Sequence, residues 1–331
     1  MSFVERTRIV REHEEERLAP AATRSEASAG RAIVEPPDDY RTAFERDRDR
    51  ILHSKAFRRL KHKTQVFINP DGDHFVTRLS HTLAATQVGR AMAAALGLNE
   101  ALTEAICLGH DVGHSPFGHT GEEALAPYVG GIWLHSMQSV RVVTVLEPLN
   151  LTAEVLDGIR AHSWRVTPPP RTPEGALCRF ADRIAYLTHD VADAIRAGVL
   201  TESDLSERFH RVFGRSSREW IDTMIRAVIA GSLRGGVVTM QGDVLEAMHE
   251  LRTFMFERVY LRPEAERQKE RAIVIIRDLV DHFTETAESI PTTYRHDDAD
   301  PVTQAIDYVS GMTDRFALHL HDELFRPKGL D

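Results

Sequence analysis

The stretch TLAATQVGRAMAAALGLNEALTEAICLGHD, residues 82–111, predicts two helices joined by a short turn. The Ala-rich first helix ends at Gly97, a residue type that favours the left-handed conformation beyond a helix end. Asn99 can cap the second helix, whose apolar residues recur at helical spacing. Two helices joined by so few residues pack as antiparallel neighbours. This hairpin predicts a helical fold around which the rest of the chain is arranged.

The open end of the hairpin carries side chains that bind metals. His81 comes directly before the first helix of the hairpin, and His110 and Asp111 stand where the second helix ends. Because the helices are antiparallel, these three residues are expected to meet. Neutral imidazole and carboxylate are ligands for divalent cations, and two adjacent ligands can reach one ion. Taken alone, however, a His-Asp pair also occurs by chance.

The remaining chain is helical in pattern, so we predict an all-α fold. Residues 40–63 and 301–325 each read as helices, and a turn is expected at residues 69–73. Residues 1–37 mix charge with Ala, Ser and Pro, which predicts a mobile arm. We expect residues 38–260 to form the helical core that holds the site, and residues 261–331 to form a C-terminal helical region packed on it.

Composition excludes several classes of protein. The 331-residue chain has a net charge of −9, two cysteines and no apolar run long enough for a membrane span or a secretory signal. Disulfide scaffolds and thiolate zinc sites are therefore unexpected, and a cytoplasmic location is expected. The basic segment KAFRRLKHK, residues 55–63, runs against this acidic balance. It predicts either a contact to a phosphate chain or a solvated helix face.

Asp182 is a candidate for a further metal ligand. It lies in CRFADRIAYLTHDVADAI, where Tyr186 and Asp190 follow at helical spacing on the same side. Its neighbours are largely apolar, which indicates partial burial, and a buried carboxylate needs a cation or an arginine as partner. Taken alone, Asp182 is better explained by an i,i+4 surface pair or by an ion pair with Arg179 or Arg183.

The combination H…HD…D resembles the signature of HD-domain metal-dependent phosphohydrolases. The segments FRRLKHKTQV, HFVTRLSH, GHDVGHSPFGHTGEEAL, HSMQSVRVV, ADRIAYLTHDVADAI and DYVSGMTDRFAL are similar to the deoxyguanosine-triphosphate triphosphohydrolase-like branch. The resemblance covers most of the chain after about residue 40. It implies an HD-domain helical bundle with additional C-terminal helices. It also implies one divalent metal ion, Mg, Mn, Co, Ni or Fe, held by His81, His110, Asp111 and Asp182.

The same resemblance implies an activity. Family members convert a deoxynucleoside triphosphate to the deoxynucleoside and inorganic triphosphate, by attack of water on the α-phosphorus. His119 is then the candidate proton donor to O5′, with Glu122 as its partner, and His114 lies nearby. A capping box formed by Thr120 and Glu123 is expected at the start of the helix that follows. The implied substrate contacts are Gln65, Arg78, His135, Arg183, Tyr186 and Asp190.

Relatives commonly form homo-oligomers, so a homo-oligomer is expected here. A regulatory deoxynucleotide or single-stranded DNA is a further possible partner, and no association with a membrane is expected. Two alternatives stay open on the sequence. One is another HD-domain phosphohydrolase, acting on a nucleoside monophosphate, an alarmone or a cyclic nucleotide. The other is a non-catalytic sensor that binds nucleotides or single strands.

Overall fold

The predicted all-α fold is confirmed. The structure is a computed structural model, which describes residues 3–68, 72, 74–296 and 299–327. Apart from Gly72, the predicted turn at residues 69–73 lies outside the described residues. Those described contain no β-strand and fifteen α-helices: Arg8–Glu14 (α1), Ala43–His53 (α2), Lys55–Arg59 (α3), Arg78–Leu96 (α4), Glu100–Gly109 (α5), His119–Leu125 (α6), His135–Arg141 (α7), Ala153–Ala161 (α8), Pro173–Arg196 (α9), Glu207–Phe213 (α10), Ser217–Gly235 (α11), Asp243–Met255 (α12), Pro263–Glu285 (α13), Pro301–Ser310 (α14) and Asp314–Phe325 (α15).

The predicted hairpin is α4 and α5. Gly97 ends α4 in the left-handed conformation, with φ 66°. The Asn99 side chain accepts a hydrogen bond of 3.1 Å from the backbone N–H of Leu102, so it caps α5 as predicted. Helix α9 packs on both helices of this hairpin. The three helices therefore pack against one another, and they carry His81, His110 and Asp182 on or directly after them.

Close packing brings the end of α5 against α8. A Cβ atom added at Gly109 would lie 2.5 Å from Ile159 Cδ1, and one added at Gly158 would lie 2.4 Å from Ile106 Cδ1. Two glycines thus let the two backbones approach more closely than side chains would allow. The consequence is that the C-terminal ends of α5 and α8, and the histidines that follow them, are neighbours.

Two separate clusters of buried apolar side chains support the molecule. The larger cluster is built from residues between Ala22 and Val259 and includes the hairpin and α9. The smaller cluster joins α6 and the loop before α7 to the C-terminal helices α13, α14 and α15. Phe117 and Trp133 belong to this smaller cluster. The C-terminal helices therefore pack on the segment that follows the hairpin.

Several helix boundaries differ from the sequence prediction. Residues 40–63 form α2, α3 and a 3₁₀ turn, because Ser54 adopts an extended conformation and caps α3 through the backbone N–H of Phe57. Residues 301–325 split into α14 and α15, because Thr313 is extended and caps α15 through the backbone N–H of Phe316. Polar capping residues inside a helical pattern explain both differences.

The N-terminal segment, predicted to be a mobile arm, packs on the core where it is described. Arg31 forms a buried ion pair with Asp47 and donates to the backbone carbonyl of Asn150 at 2.6 Å. Thr23 Oγ1 donates to Glu174 at 2.8 Å. These side chains of the segment predicted to be a mobile arm are bonded to the core. No helix within the described ranges is long and apolar enough to cross a membrane.

Candidate metal and catalytic site

Three residues of the predicted metal set lie together at the open end of the hairpin. His81 Nε2 is 3.1 Å from Asp182 Oδ1, and His110 Nε2 is 3.8 Å from the same oxygen. Both histidines are buried. Ligand atoms of these three residues lie within 4.8 Å of one another. Helices α4 and α9 and the end of α5 thus bring together residues that are up to 101 positions apart in the chain.

The donor atoms fit a divalent cation. His110 Nδ1 lies 2.6 Å from the backbone carbonyl of Cys107, which can only accept, so the proton sits on Nδ1. His110 Nε2 therefore carries a free electron pair. Within the described residues, this buried atom has no hydrogen-bond partner. Burial opposes ionisation of Asp182, but the hydrogen bond from His81 holds the pKa of Asp182 below its usual value. A partly buried anion beside an unpartnered imidazole nitrogen suits a cation.

Asp111 links this cluster to an arginine. Its Oδ1 lies 3.6 Å from His110 Nε2, while its Oδ2 accepts a hydrogen bond of 2.7 Å from buried Arg78. Burial opposes its ionisation, but the charge of Arg78 holds the pKa of Asp111 well below its usual value. One carboxylate oxygen is therefore directed toward the metal cluster while the other is held in place.

A second cluster of three histidines and a glutamate adjoins the first. Glu122 Oε2 lies 2.8 Å from His119 Nδ1, and Glu122 Oε1 lies 2.7 Å from His135 Nδ1. His114 stacks on His135 with ring centroids 4.4 Å apart. Burial opposes ionisation of Glu122, but the charge of His135 and the hydrogen bonds from His119 and His135 hold the pKa of Glu122 well below its usual value. Glu122 is therefore a buried carboxylate that orients two imidazoles.

The two clusters touch and open into one cavity. His135 Nε2 lies 3.5 Å from Asp111 Oδ1, which joins the catalytic candidates to the metal candidates. The cavity has a volume of about 1320 Å³ and its wall includes twelve of the thirteen predicted site residues. His110 is the exception, and it is buried. A cavity of this size accommodates a nucleotide.

Comparison with known proteins gives the site a family. The HD domain matches residues 78–187, which include all four predicted metal ligands, and the phosphohydrolase-associated domain matches residues 238–323. A deoxyguanosinetriphosphate triphosphohydrolase-like protein of Caldanaerobacter subterraneus is 47% identical, with 96% of this chain and 95% of the relative covered. Proteins of the same description from Clostridium tetani and Clostridium perfringens are 41% and 42% identical, each over 94% of this chain and 93% and 95% of the relative. The chain belongs to the deoxyguanosinetriphosphate triphosphohydrolase-like family.

Membership of this HD-domain family and the His/Asp cluster together support a metal-dependent phosphohydrolase. The predicted substrate-contact residues differ in whether their polar groups are already bonded to other protein side chains. Gln65, Arg183 and Tyr186 line the cavity. Arg183 also stacks on Trp164, with its guanidinium carbon 4.4 Å from the ring centroid.

Two other predicted substrate contacts are already occupied. Arg78, expected to neutralise the triphosphate, is bonded to Asp111. Asp190 accepts a hydrogen bond of 2.5 Å from the hydroxyl of Tyr260. Burial raises the pKa of Asp190 to about 7, against the effect of that hydrogen bond. Both side chains line the cavity, but in this structure each has a protein partner.

His162 is a further residue of the site that was not predicted from the sequence. It is buried, its Nε2 lies 3.0 Å from His135 Nε2, and its ring centroid is 4.9 Å from that of His110. Burial lowers the pKa of His162 to about 3, and the neighbouring His135 acts in the same direction. A signal was present, because His162 follows the end of α8 as His110 follows the end of α5. In both, Nδ1 faces the carbonyl three residues earlier, which leaves Nε2 toward the site.

The start of α6 also differs from the prediction. No capping box forms at Thr120, because the helix begins one residue earlier, at His119, with Gly118 as its N-cap. The turn before it is strained: Phe117 has φ 60° and Gly118 has φ 62°. A phenylalanine in this conformation costs about 1–3 kcal/mol and persists only when its surroundings fix it. The backbone therefore places His119 at the helix start by a turn that capping rules do not predict.

Proposed function

We propose that this protein hydrolyses deoxynucleoside triphosphates to the deoxynucleoside and inorganic triphosphate. The observation that carries the proposal is the contact between the two clusters, where His135 Nε2 lies 3.5 Å from Asp111 Oδ1. A metal site alone suits any phosphohydrolase of this fold. A paired proton donor beside it suits a reaction whose leaving group is a poor one, as the O5′ alkoxide of a nucleoside is.

The metal residues in this proposal are His81, His110, Asp111 and Asp182. A bound divalent ion, of the Mg, Mn, Co, Ni or Fe class, would neutralise charge on the α-phosphate. The protein side chains hold the remaining charges of the substrate. Arg183 faces the cavity from the same helix as Asp182 and suits a phosphate oxygen.

Proton transfer is assigned to His119. Water forms a bond to the α-phosphorus as the bond from that phosphorus to O5′ breaks, so O5′ must gain a proton. The side chain of His119 is 75% exposed toward the cavity, and its Nδ1 is held by Glu122. Its Nε2 is therefore the atom free to give a proton to O5′. Glu122 stabilises the protonated imidazole and fixes its orientation, while His114 and His135 pack beside it.

Selection for deoxyribose is assigned to Tyr186. Its side chain lines the cavity on α9, one turn beyond Asp182, with Asp190 a further turn along. A phenol ring pressed against C2′ leaves no room for a hydroxyl group there. We therefore expect ribonucleotides to be poor substrates, with Gln65 contributing a further polar contact to the sugar.

Product analysis tests the proposal. The purified protein is incubated with each dNTP and each of the five metals, and the products are separated by ion-exchange chromatography. Release of deoxynucleoside and tripolyphosphate is the expected result. Pyrophosphate or orthophosphate as the first product would instead indicate another HD-domain phosphohydrolase. Absence of turnover with every pair, with metal and nucleotide bound, would indicate a sensor.

A further inference from the structure

The strained turn within the cluster of three histidines and a glutamate is held by residues far away in the chain. His114 and His119 stand on either side of this turn, and Phe117 within it adopts φ 60°. Its phenyl ring is buried in the smaller apolar cluster. An unfavourable backbone conformation persists only where other contacts fix it. Two side chains from outside the turn are bonded to its backbone.

The first group is the carboxylate of Asp314, at the start of α15. Asp314 Oδ1 accepts a hydrogen bond of 3.0 Å from the backbone N–H of Phe117. Its Oδ2 accepts one of 2.9 Å from the backbone N–H of Thr64. Asp314 is 5% exposed. One buried carboxylate therefore ties the turn to the segment before α4, and both of its oxygens are used.

The second group is the ammonium of Lys63, the neighbour of Thr64. Lys63 Nζ donates to the backbone carbonyl of His114 and, at 2.9 Å, to the backbone carbonyl of Ser310 at the end of α14. Lys63 is 2% exposed. Burying an ammonium group is costly unless its N–H groups are bonded. Lys63 therefore belongs to the interior, not to the phosphate contact or solvated face that the basic segment predicted.

We propose that Asp314 and Lys63 are positioning residues for catalysis, which fix the turn that aligns His114 and His119. Helices α14 and α15 thereby act on the site through their bonds to Lys63 and to this turn. Two of the bonds, to Phe117 N–H and to the His114 carbonyl, lie inside the turn itself. The expected effect on the rate of hydrolysis rests on the proposed function. The expected effect on the conformation of the turn does not.

The chain offers a matched control in Asp307, on α14. Asp307 is also a buried carboxylate of the C-terminal region. It accepts hydrogen bonds from Arg141 at 2.6 Å and from Gln138 at 2.8 Å, both on α7. It thus fastens the same region to the core, and among the described residues no hydrogen bond or ion pair joins its side chain to residues 113–118. A purely structural role for Asp314 predicts that Asp307 and Asp314 variants behave alike.

The test compares Asp314→Asn, Lys63→Met and Asp307→Asn in the full chain with metal bound. An asparagine accepts only one of the two N–H bonds, and a methionine keeps the packing of the lysine stem without its charge. We expect kcat for dNTP hydrolysis to fall about 10- to 100-fold in Asp314→Asn and Lys63→Met, with metal content unchanged. Asp307→Asn should lower the Tm but keep kcat within about twofold.

Hydrogen exchange provides a readout that needs no substrate. Amides of residues 113–118 should exchange faster in Asp314→Asn and Lys63→Met than in the parent or in Asp307→Asn. If the parent protein hydrolyses no dNTP, the proposed function fails and the exchange result still decides the positioning role. Unchanged exchange in this turn, or equal losses of kcat in Asp307→Asn and Asp314→Asn, would overturn the inference. Lys63→Met decides the outcome if Asp314→Asn does not fold.

Discussion

The metal cluster and the histidine–glutamate cluster adjoin each other but are built in different ways. His81, His110 and Asp182 stand on or directly after long regular helices whose packing fixes them. His114 and His119 flank an irregular turn that contains a strained phenylalanine and is bonded to the C-terminal region. The first cluster follows from helix geometry, whereas the second requires contacts between residues about 200 positions apart.

Because the two clusters are built differently, substitutions near each of them should have different effects on stability and on turnover. Changes to helix caps should lower stability and leave the metal cluster in place, because many helical contacts hold its residues. Changes around the turn should lower turnover before they lower stability, because few bonds fix the catalytic histidines. The four predictions that follow test this separation, beginning with the largest expected effect.

Replacing a metal residue should abolish activity. In Asp182→Ala the carboxylate beside His81 and His110 is lost, so bound metal should be lost and turnover should fall by at least about 10³-fold, since a metal supplies several kcal/mol of charge stabilisation. Elemental analysis and kcat measure both effects. Asp193→Asn is the control on the same helix, because Asp193 instead bonds Val76 N–H and Arg196. Retained metal in Asp182→Ala would contradict the assignment.

Replacing the proton donor should spare the metal. His119→Ala is expected to lower kcat about 10²- to 10⁴-fold while metal content stays at the parent value. The exposed His249 of α12 serves as the control, and His249→Ala should retain full turnover. Parental activity in a metal-loaded His119→Ala protein would show that His119 takes no part in the mechanism. The two clusters would then have no separate roles in catalysis.

Asp190 predicts a pH dependence of stability. Burial raises the pKa of Asp190 to about 7, so the folded protein keeps a proton that the unfolded chain loses near pH 4. Its contribution to the free energy of unfolding therefore falls as the pH rises from about 4 to about 7 and is constant above that. Asp190→Asn removes this decline, so the variant should gain up to about 4 kcal/mol over the parent at pH 8 and little at pH 4.

Urea unfolding of the parent and Asp190→Asn proteins at several pH values measures that gain. An asparagine oxygen can still accept the hydrogen bond from Tyr260, which keeps the comparison matched. A difference in stability that does not change between pH 4 and pH 8 would show that Asp190 ionises normally in the folded protein.

A helix cap should have the smallest effect. Thr172 caps α9, and its side chain accepts a hydrogen bond of 3.1 Å from the backbone N–H of Gly175. Thr172→Ala should lower the free energy of unfolding by about 1 kcal/mol, with metal content and kcat unchanged. Urea unfolding, elemental analysis and steady-state kinetics check the three quantities. Loss of metal in this variant would mean that the metal cluster is less robust than its helical setting implies.

The same contrast explains what the sequence could predict. The hairpin, its Gly97 and Asn99 ends and the approach of His81 to His110 follow from local rules of capping and antiparallel packing. The turn at Phe117 could not be predicted, because its conformation depends on Asp314, a residue 197 positions away. His162 was missed although its place at a helix end repeats that of His110. The prediction of a mobile arm overlooked that Arg31 pairs with a buried aspartate.

The most direct test of the proposed reaction is hydrolysis of dGTP in H₂¹⁸O, followed by mass spectrometry of the products. Attack of water on the α-phosphorus with loss of O5′ predicts that one ¹⁸O atom appears in tripolyphosphate and none in deoxyguanosine. Label in deoxyguanosine would mean that the carbon–oxygen bond breaks. Label in a nucleoside monophosphate, with pyrophosphate released, would mean that a different phosphate bond is cleaved, and either result would contradict the proposed role of His119 and Glu122.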